Sequence, residues 1–174
     1  MNKADIVDWV KVELRETANG PSTATAATII AEQAVFLLND GSLVSLDGTT
    51  MPTSSVIPKV DVYLVIWHRN HLAIMSANPM ANLGGGLFSY DFTTGPNQAY
   101  GTNAQMQIAA GYYGMIPGDA APDGQVDVYD YTIWRTHAGT TGYLGEDMNL
   151  NGHVDNVDKN DDWVPNIGKG IQIP

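Results

Sequence analysis

The chain has 174 residues, of which 44% are hydrophobic, and its formal net charge of −11 at pH 7 comes from 19 acidic and 8 basic residues. A hydrophobic core is therefore possible, whereas nucleic acid is excluded as a partner, because binding a phosphate backbone needs clustered Lys and Arg. The absence of cysteine excludes disulfides and thiolate metal sites, and the apolar segments are too short to predict a membrane span.

The first forty residues carry the alternating pattern of half-buried β-strands. Val10, Val12 and Leu14 alternate with polar neighbours, which is the period-2 pattern of a sheet with one buried face. The apolar segment 28–38 then ends at Asn39-Asp40-Gly41, a sequence that tolerates the positive φ of a tight turn. These segments predict successive hairpins.

The next strand prediction covers residues 60–67, which are apolar on both faces, as in a central strand. Residues 88–92 and 105–113 add short strands separated by turn residues. Short strands at this spacing favour an Ig-like β-sandwich, which we predict for residues 1–113. The fold class expected for the whole chain is therefore mainly β.

A polar cluster, His68-Arg69-Asn70-His71, interrupts the apolar pattern after this strand. The two histidines are expected to point to different faces, and no carboxylate pattern nearby completes a metal ligand set. We therefore interpret the cluster as a structural turn in which Arg69 pairs with an acidic neighbour. Because no catalytic motif is found elsewhere, the chain is predicted not to be an enzyme.

Two acidic loops of twelve residues form an internal repeat in the last third of the chain. They cover Asp119–Asp130 and Asp147–Asp158 and begin 28 residues apart. Both have oxygen-bearing side chains at positions 1, 5, 9 and 12, glycine at position 6 and valine at position 8. The first loop holds four carboxylates and the second holds three, which repel one another unless a cation is present.

This spacing is typical of calcium loops, because the ion takes about six to eight oxygen ligands and a twelve-residue loop can surround it. Glycine at position 6 permits a sharp turn, and position 7 supplies its backbone carbonyl. We therefore predict two calcium ions. The expected ligands are Asp119, Asp123, the Gln125 carbonyl, Asp127 and Asp130 in the first loop, and Asp147, Asn149, Asn151, the His153 carbonyl, Asp155 and Asp158 in the second.

The two loops are not equivalent. The first has Ala121 at position 3, where a side-chain oxygen is expected, and so the second loop is predicted to bind calcium more tightly. The valines at position 8 are expected to pair the loops or to seal a small core. Amphipathic segments at 129–136 and 157–164 predict a short helix after each loop, and the boundary between the two domains is placed near residues 114–118.

The segments Gly118–Asp130, Tyr131–Trp134 and Asp147–Asp158 resemble the duplicated loop-and-helix units of dockerin-type modules. The chain departs from that pattern at Ala121 and in the proline-containing segment 156–165. Dockerins bind cohesin domains and belong to secreted or surface-attached proteins. The resemblance therefore implies that residues 114–174 form a dockerin-like module, that the protein is extracellular or on a cell surface, and that its partner is another protein.

A second resemblance spans most of the chain. Residues 8–15, 38–41, 68–72 and 168–170 are similar to the C-terminal region of large secreted, Bacteroidetes-type proteins described as haemagglutinin-like. In such proteins a β-sandwich precedes the dockerin-like pair, so this resemblance implies the same order of domains here.

Three functions follow as expectations. The first is a calcium-binding structural module of a surface protein or extracellular fibre, in which the N-terminal residues Met1–Asp5 add a strand to a neighbouring copy. The second is docking to a cohesin-like partner. The third is a carbohydrate-binding adhesin, for which two or more coplanar aromatic rings must be exposed. The candidate rings include the four tryptophans, Trp9, Trp67, Trp134 and Trp163.

Overall fold

A computed structural model describes residues 5–174, so the strand predicted for Met1–Asp5 lies, apart from Asp5, outside the described residues. The protein is mainly β with antiparallel sheets, as predicted. Within residues 5–174, no helix is long and apolar enough to cross a membrane.

The described residues divide into two compact units. Unit 1 contains residues 5–66, 74–114 and 172–174, and unit 2 contains residues 67–73 and 115–171. The chain passes into unit 2 after Gly114, next to the boundary predicted after residue 113. Residues 67–73, however, were predicted to lie in the first domain and belong to unit 2. Residues 172–174 were predicted to lie in the second domain and belong to unit 1.

The described strands belong to three sheets. Five strands form one sheet in the order β3-β2-β1-β4-β5, and two pairs, β6-β7 and β8-β9, form separate two-stranded ribbons. The strands are β1 Ile6–Glu16, β2 Ile29–Leu38, β3 Leu43–Val44, β4 Val62–Trp67, β5 Ile74–Met75, β6 Ala81–Gly84, β7 Leu87–Ser89, β8 Met106–Ala109 and β9 Tyr112–Gly114.

The core of unit 1 follows the apolar pattern of β1 and β4. In β1, Val10 and Val12 are buried, as predicted, but the alternation fails beyond them: Leu14 is only partly buried, and its polar neighbour Glu13 is buried, where it pairs with Arg15. Val10 lies opposite the buried Val35 of β2. All residues of β4 from Val62 to Ile66 are buried, because β4 lies between β1 and β5. The strand that is apolar on both faces is therefore an interior strand, as predicted.

The turns of unit 1 occur at glycines with positive φ. The predicted hairpin at residues 39–41 joins β2 to β3, and Gly41 has φ of 84°. The prediction of one strand over residues 105–113 was wrong, because β8 and β9 form a hairpin that turns at Gly111, where φ is 81°. Apolar residues on both sides of a glycine look like one strand unless the turn is recognised.

Unit 2 contains two short helical segments, and each begins within the last residues of an acidic loop. The first is α1, Val128–His137, and the second is a π-helix, Asp158–Trp163, followed by a 3₁₀ turn, Val164–Asn166. Asp127 caps α1 by accepting the Tyr129 N–H at 2.7 Å. The second segment is therefore helical but wider than the α-helix that its amphipathic pattern predicts.

Candidate metal centre

The two acidic loops of unit 2 fold with the same hydrogen-bond pattern. At position 1, Asp119 and Asp147 are each 3% exposed, and each uses both carboxylate oxygens to accept backbone N–H groups of positions 5 and 6. These distances are 3.0 and 3.0 Å in the first loop and 2.9 and 2.8 Å in the second. The first carboxylate of each loop therefore holds the turn around the glycine at position 6.

The carboxylates at position 12 close both loops. Asp130, 1% exposed, accepts N–H groups of Ala121 at 2.9 Å and Asp127 at 2.7 Å. Asp158, 0% exposed, accepts those of Met148 at 2.8 Å and Asp155 at 2.8 Å. Each carboxylate thus reaches back from the start of a helical segment to the start of its loop.

The remaining predicted ligand positions complete the similarity between the loops. At position 5, Asp123 and Asn151 accept the N–H of position 7 at 3.0 and 2.8 Å. The glycines at position 6 have φ of 84° and 86°, a conformation that glycine adopts at little cost. At position 3, Asn149 accepts an N–H from position 5 at 3.1 Å, and Ala121 has no side-chain oxygen with which to do so.

Four buried carboxylates in these loops lack a basic partner. Within residues 5–174, none of the four at positions 1 and 12 forms an ion pair with Lys, Arg or His. Burial raises the pKa of Asp119 to about 6, against the lowering effect of its N–H donors. Burial likewise raises the pKa of Asp130 and of Asp158. Loops of this kind favour either protonated carboxyls or a bound cation.

A fifth carboxylate lies near the second loop. Burial, followed by the charges of Asp158, Asp161 and Asp147, raises the pKa of Asp162 to about 6. Its Oδ2 is buried and accepts no hydrogen bond from the described residues. The side of unit 2 that holds the second loop is therefore rich in uncompensated negative charge.

The carboxylates are not grouped as a preformed cage. In the part of the chain that the structure describes, no three His, Cys, Asp or Glu side chains lie close enough together to hold a metal ion. The carboxylates are bonded instead to backbone N–H groups of their own loops. A hard cation here would also need amide and carbonyl oxygens and water, which are common calcium ligands.

Each loop is joined to the other repeat through the valine at position 8. The Val126 N–H donates to the Lys169 carbonyl at 2.9 Å, and the Val154 N–H donates to the Thr140 carbonyl at 2.9 Å. Each valine therefore pairs with the chain that follows the helical segment of the other repeat. The valines were predicted either to pair the loops or to seal a small core. Val154 does the second, because it packs with Met148 and the other members of one buried cluster.

Two tryptophans exchange hydrogen bonds between the repeats. Trp134 Nε1 donates to the Asp155 carbonyl at 3.0 Å, and Trp163 Nε1 donates to the Asp127 carbonyl at 2.8 Å. Both acceptors stand at position 9 of the opposite loop. Trp134 comes 15 residues after the start of its loop (134 − 119) and Trp163 comes 16 after its own (163 − 147). The π-helix accommodates the extra residue, because it has more residues per turn than an α-helix.

Replacing Trp134 with phenylalanine is expected to lower the free energy of unfolding by about 2 kcal/mol. The loss combines a missing donor to the Asp155 carbonyl with a cavity in the core of unit 2. Trp9→Phe is the control, since Trp9 is exposed and the change there should cost no more than about 0.5 kcal/mol. Denaturant unfolding measures both, and equal losses would contradict the role of the exchanged hydrogen bond.

The polar cluster at residues 68–71 is part of unit 2. The prediction that its histidines point to different faces was wrong, because His68 Nδ1 and His71 Nδ1 lie 3.0 Å apart and the rings pack edge to face. Arg69 donates to the Leu144 carbonyl, and its guanidinium lies 4.2 Å from the centre of the Tyr143 ring. These contacts of Arg69 were not predicted, and its pairing with an acidic neighbour stays a prediction.

Asn70 contacts both acidic loops, which its sequence context does not predict. Its backbone carbonyl accepts the N–H groups of Gly118 and Asp119, and its side-chain amide donates to the carbonyls of Gly145 and Asp147. Its only sequence signal is that of a polar residue between apolar segments, which does not identify its partners. Asn70 stands 75 residues before Gly145 and 77 residues before Asp147, so its side chain joins distant parts of the chain.

The tryptophans do not form one exposed platform. Trp9 is exposed, Trp134 is buried, and Trp163 packs against the core of unit 2. Tyr131 stacks between Trp134 and Trp163, at centroid distances of 5.8 and 5.3 Å. These stacked rings serve the packing of the two repeats.

All the predicted ligand residues lie in the two loops, and unit 2 brings the loops together through exchanged backbone and indole hydrogen bonds. The carboxylates at positions 1 and 12 are buried, whereas the side chains of Gln125 and His153 are exposed, as suits positions that contribute a carbonyl. Comparison of the chain with protein families, with curated proteins and with solved structures gave no match.

Proposed function

We propose that unit 2 is a calcium-binding module with one ion in each acidic loop, and that the chain is a non-enzymatic structural or assembly module outside the cell. The supporting observation is the pair of equivalent loops with four buried carboxylates that form no ion pair with a basic side chain of residues 5–174. A divalent cation removes the repulsion within each loop, so its binding free energy would contribute to folding.

The ligands in this proposal are those expected from the spacing. In the first loop they are the side chains of Asp119, Asp123, Asp127 and Asp130 with the Gln125 carbonyl. In the second they are the side chains of Asp147, Asn149, Asn151, Asp155 and Asp158 with the His153 carbonyl. The first loop has no side-chain oxygen at position 3, so water would take that place and its affinity would be lower.

An extracellular location is part of the proposal, because the dockerin resemblance implies it and a first loop that lacks one ligand would bind calcium weakly. A loop with a missing ligand is suited to the millimolar range, where calcium modules outside cells bind, rather than to the micromolar range of intracellular sensors. An assembly function is further supported by exposed apolar side chains on both ribbons of unit 1, Leu83 and Leu87 on one and Ile108 and Tyr112 on the other. An Ig-like sandwich for unit 1 and membership in haemagglutinin-like surface proteins remain part of this proposal.

Docking to a cohesin-like partner is the second candidate. One specific observation favours it, because exposed apolar or aromatic side chains stand at the start of both helical segments. Val128 and Tyr129 stand at positions 10 and 11 of the first loop, where α1 begins, and Val157 stands in the second repeat at the position that corresponds to Tyr129. Such a pair of equivalent patches could contact a protein partner.

The test is thermal unfolding in excess calcium and in chelator, with electron microscopy of both samples. Calcium is expected to raise the unfolding midpoint, because a ligand that binds the native state stabilises it. Filaments that disappear on chelation would support assembly. A stabilised protein that stays monomeric would support docking to a partner. An unchanged midpoint would show that the loops are ordinary turns and would refute calcium binding.

A further inference from the structure

The segment 67–73 is a third component of the module that contains the acidic loops. It belongs to unit 2 although more than forty residues separate it in sequence from the rest of that unit. Its Leu72 N–H donates to the Ile116 carbonyl at 2.8 Å, and His71 forms a β-bridge with Pro117. The segment therefore runs beside the chain that leads into the first loop.

Asn70, at the centre of this segment, is completely buried and contacts the start of both loops. Its carbonyl accepts the Gly118 N–H at 3.1 Å and the Asp119 N–H at 3.2 Å. Its Nδ2 donates to the Gly145 carbonyl at 2.9 Å and to the Asp147 carbonyl at 2.7 Å. Asp119 and Asp147 are the position 1 residues of the two loops, so one residue fixes the backbone from which both first ligands project.

We propose that Asn70 is a positioning residue for both calcium sites and that the calcium module consists of three segments, the two loops and residues 67–73. This inference rests on the proposed calcium function. The three segments meet at one buried amide and one buried carbonyl, and removing a partner from a buried polar group costs more than an ordinary exposed contact. Calcium affinity should therefore depend on a residue that is not itself a ligand.

The two loops should respond differently to a change at Asn70. The second loop is held by the side-chain amide, which a substitution removes, whereas the first is held by the backbone carbonyl, which every residue keeps. Asn70→Ala is therefore expected to weaken the second site at least tenfold and the first site less than threefold. A purely structural loss of stability would weaken both sites together.

The experiment measures calcium affinity of the full chain by isothermal titration in two backgrounds. Asp119→Ala with Asp130→Ala leaves the second loop, and Asp147→Ala with Asp158→Ala leaves the first. Asn70→Ala is added to each. Asn70→Asp repeats the test if the alanine variant does not fold, since aspartate keeps the shape and the Oδ1 acceptor while it loses the amide donors.

The matched control is Asn166→Ala. Asn166 is also buried in unit 2, and its amide donates to the carbonyls of Pro117 and Asp162, neither of which is a predicted ligand. A weaker second site with Asn70→Ala, and no such loss with Asn166→Ala, would support the positioning role. Equal losses in both backgrounds, or from both asparagines, would overturn it. If the unchanged protein binds no calcium, the proposed function fails first, so the two failures are distinguishable.

Discussion

Replacing Asp147 and Asp158 together with alanine is expected to lower the unfolding midpoint in calcium by more than the same change at Asp119 and Asp130. The second loop has an oxygen-bearing side chain at position 3 and the first does not, so the second site should contribute more binding free energy. At a calcium concentration about 100-fold above Kd, one site stabilises the native state by about 2.7 kcal/mol. For a chain of this length that is roughly 5–10 °C in Tm.

Chelator is the control for this pair of double variants. Removing a buried carboxylate also deletes the hydrogen bonds that it accepts from its loop, and this loss occurs with or without calcium. The contribution of calcium is the shift in unfolding midpoint measured in calcium minus the shift measured in chelator. A difference of the same size for both loops, or no difference at all, would contradict the ranking of the sites.

Gly118→Ala is expected to destabilise unit 2 by about 3 kcal/mol. The backbone conformation at this position is unfavourable for alanine, and there is no room for the added Cβ. Gly118 has φ of 117°, and an added Cβ would lie 3.0 Å from Val126 Cγ1 and 3.2 Å from the Asp162 carbonyl oxygen. Gly118 precedes Asp119, the first predicted ligand of its loop, and its N–H donates to the Asn70 carbonyl. The strain would therefore also displace the first loop.

Gly139→Ala is the matched control for this substitution. Gly139 has a similar positive φ, 87°, but a Cβ there would meet no atom within 4 Å. Its cost should be limited to about 1–2 kcal/mol of backbone strain. Chemical denaturation of the two variants separates strain from crowding. If the two glycines cost the same, Gly118 is not tightly packed and the role assigned to its surroundings is wrong.

The loops could be predicted because their information is local. Glycine at position 6 of each loop adopts positive φ, and the carboxylate at position 12 returns to the loop start, as the twelve-residue spacing predicts. Calcium itself remains a proposal. The strands of unit 1 were similarly predictable where apolar residues alternate, as in β1 up to Val12, but a glycine turn inside an apolar segment divided the predicted strand at residues 105–113.

The second helical segment shows where a local pattern is insufficient. The amphipathic residues after Asp158 predict a helix, but they do not predict that one extra residue is accommodated as a π-helix. Trp163, at the end of this π-helix, donates to the Asp127 carbonyl in the opposite repeat, a contact between residues 36 positions apart in the chain. The wider turn accommodates the extra residue before this long-range contact, and the local amphipathic pattern carries no signal of it.

The sequence by itself determined the mainly β character, the positions of the two acidic loops and which of their positions have oxygen-bearing side chains. These properties depend on the alternation of apolar residues and on the fixed spacing of oxygen-bearing residues. Both can be recognised within a single segment of the chain. Only the tertiary structure decided that residues 67–73 belong with the loops and that Asn70 holds both of them. Hydrogen bonds between distant segments have no period in the sequence, since each depends on where the completed fold places a donor beside an acceptor.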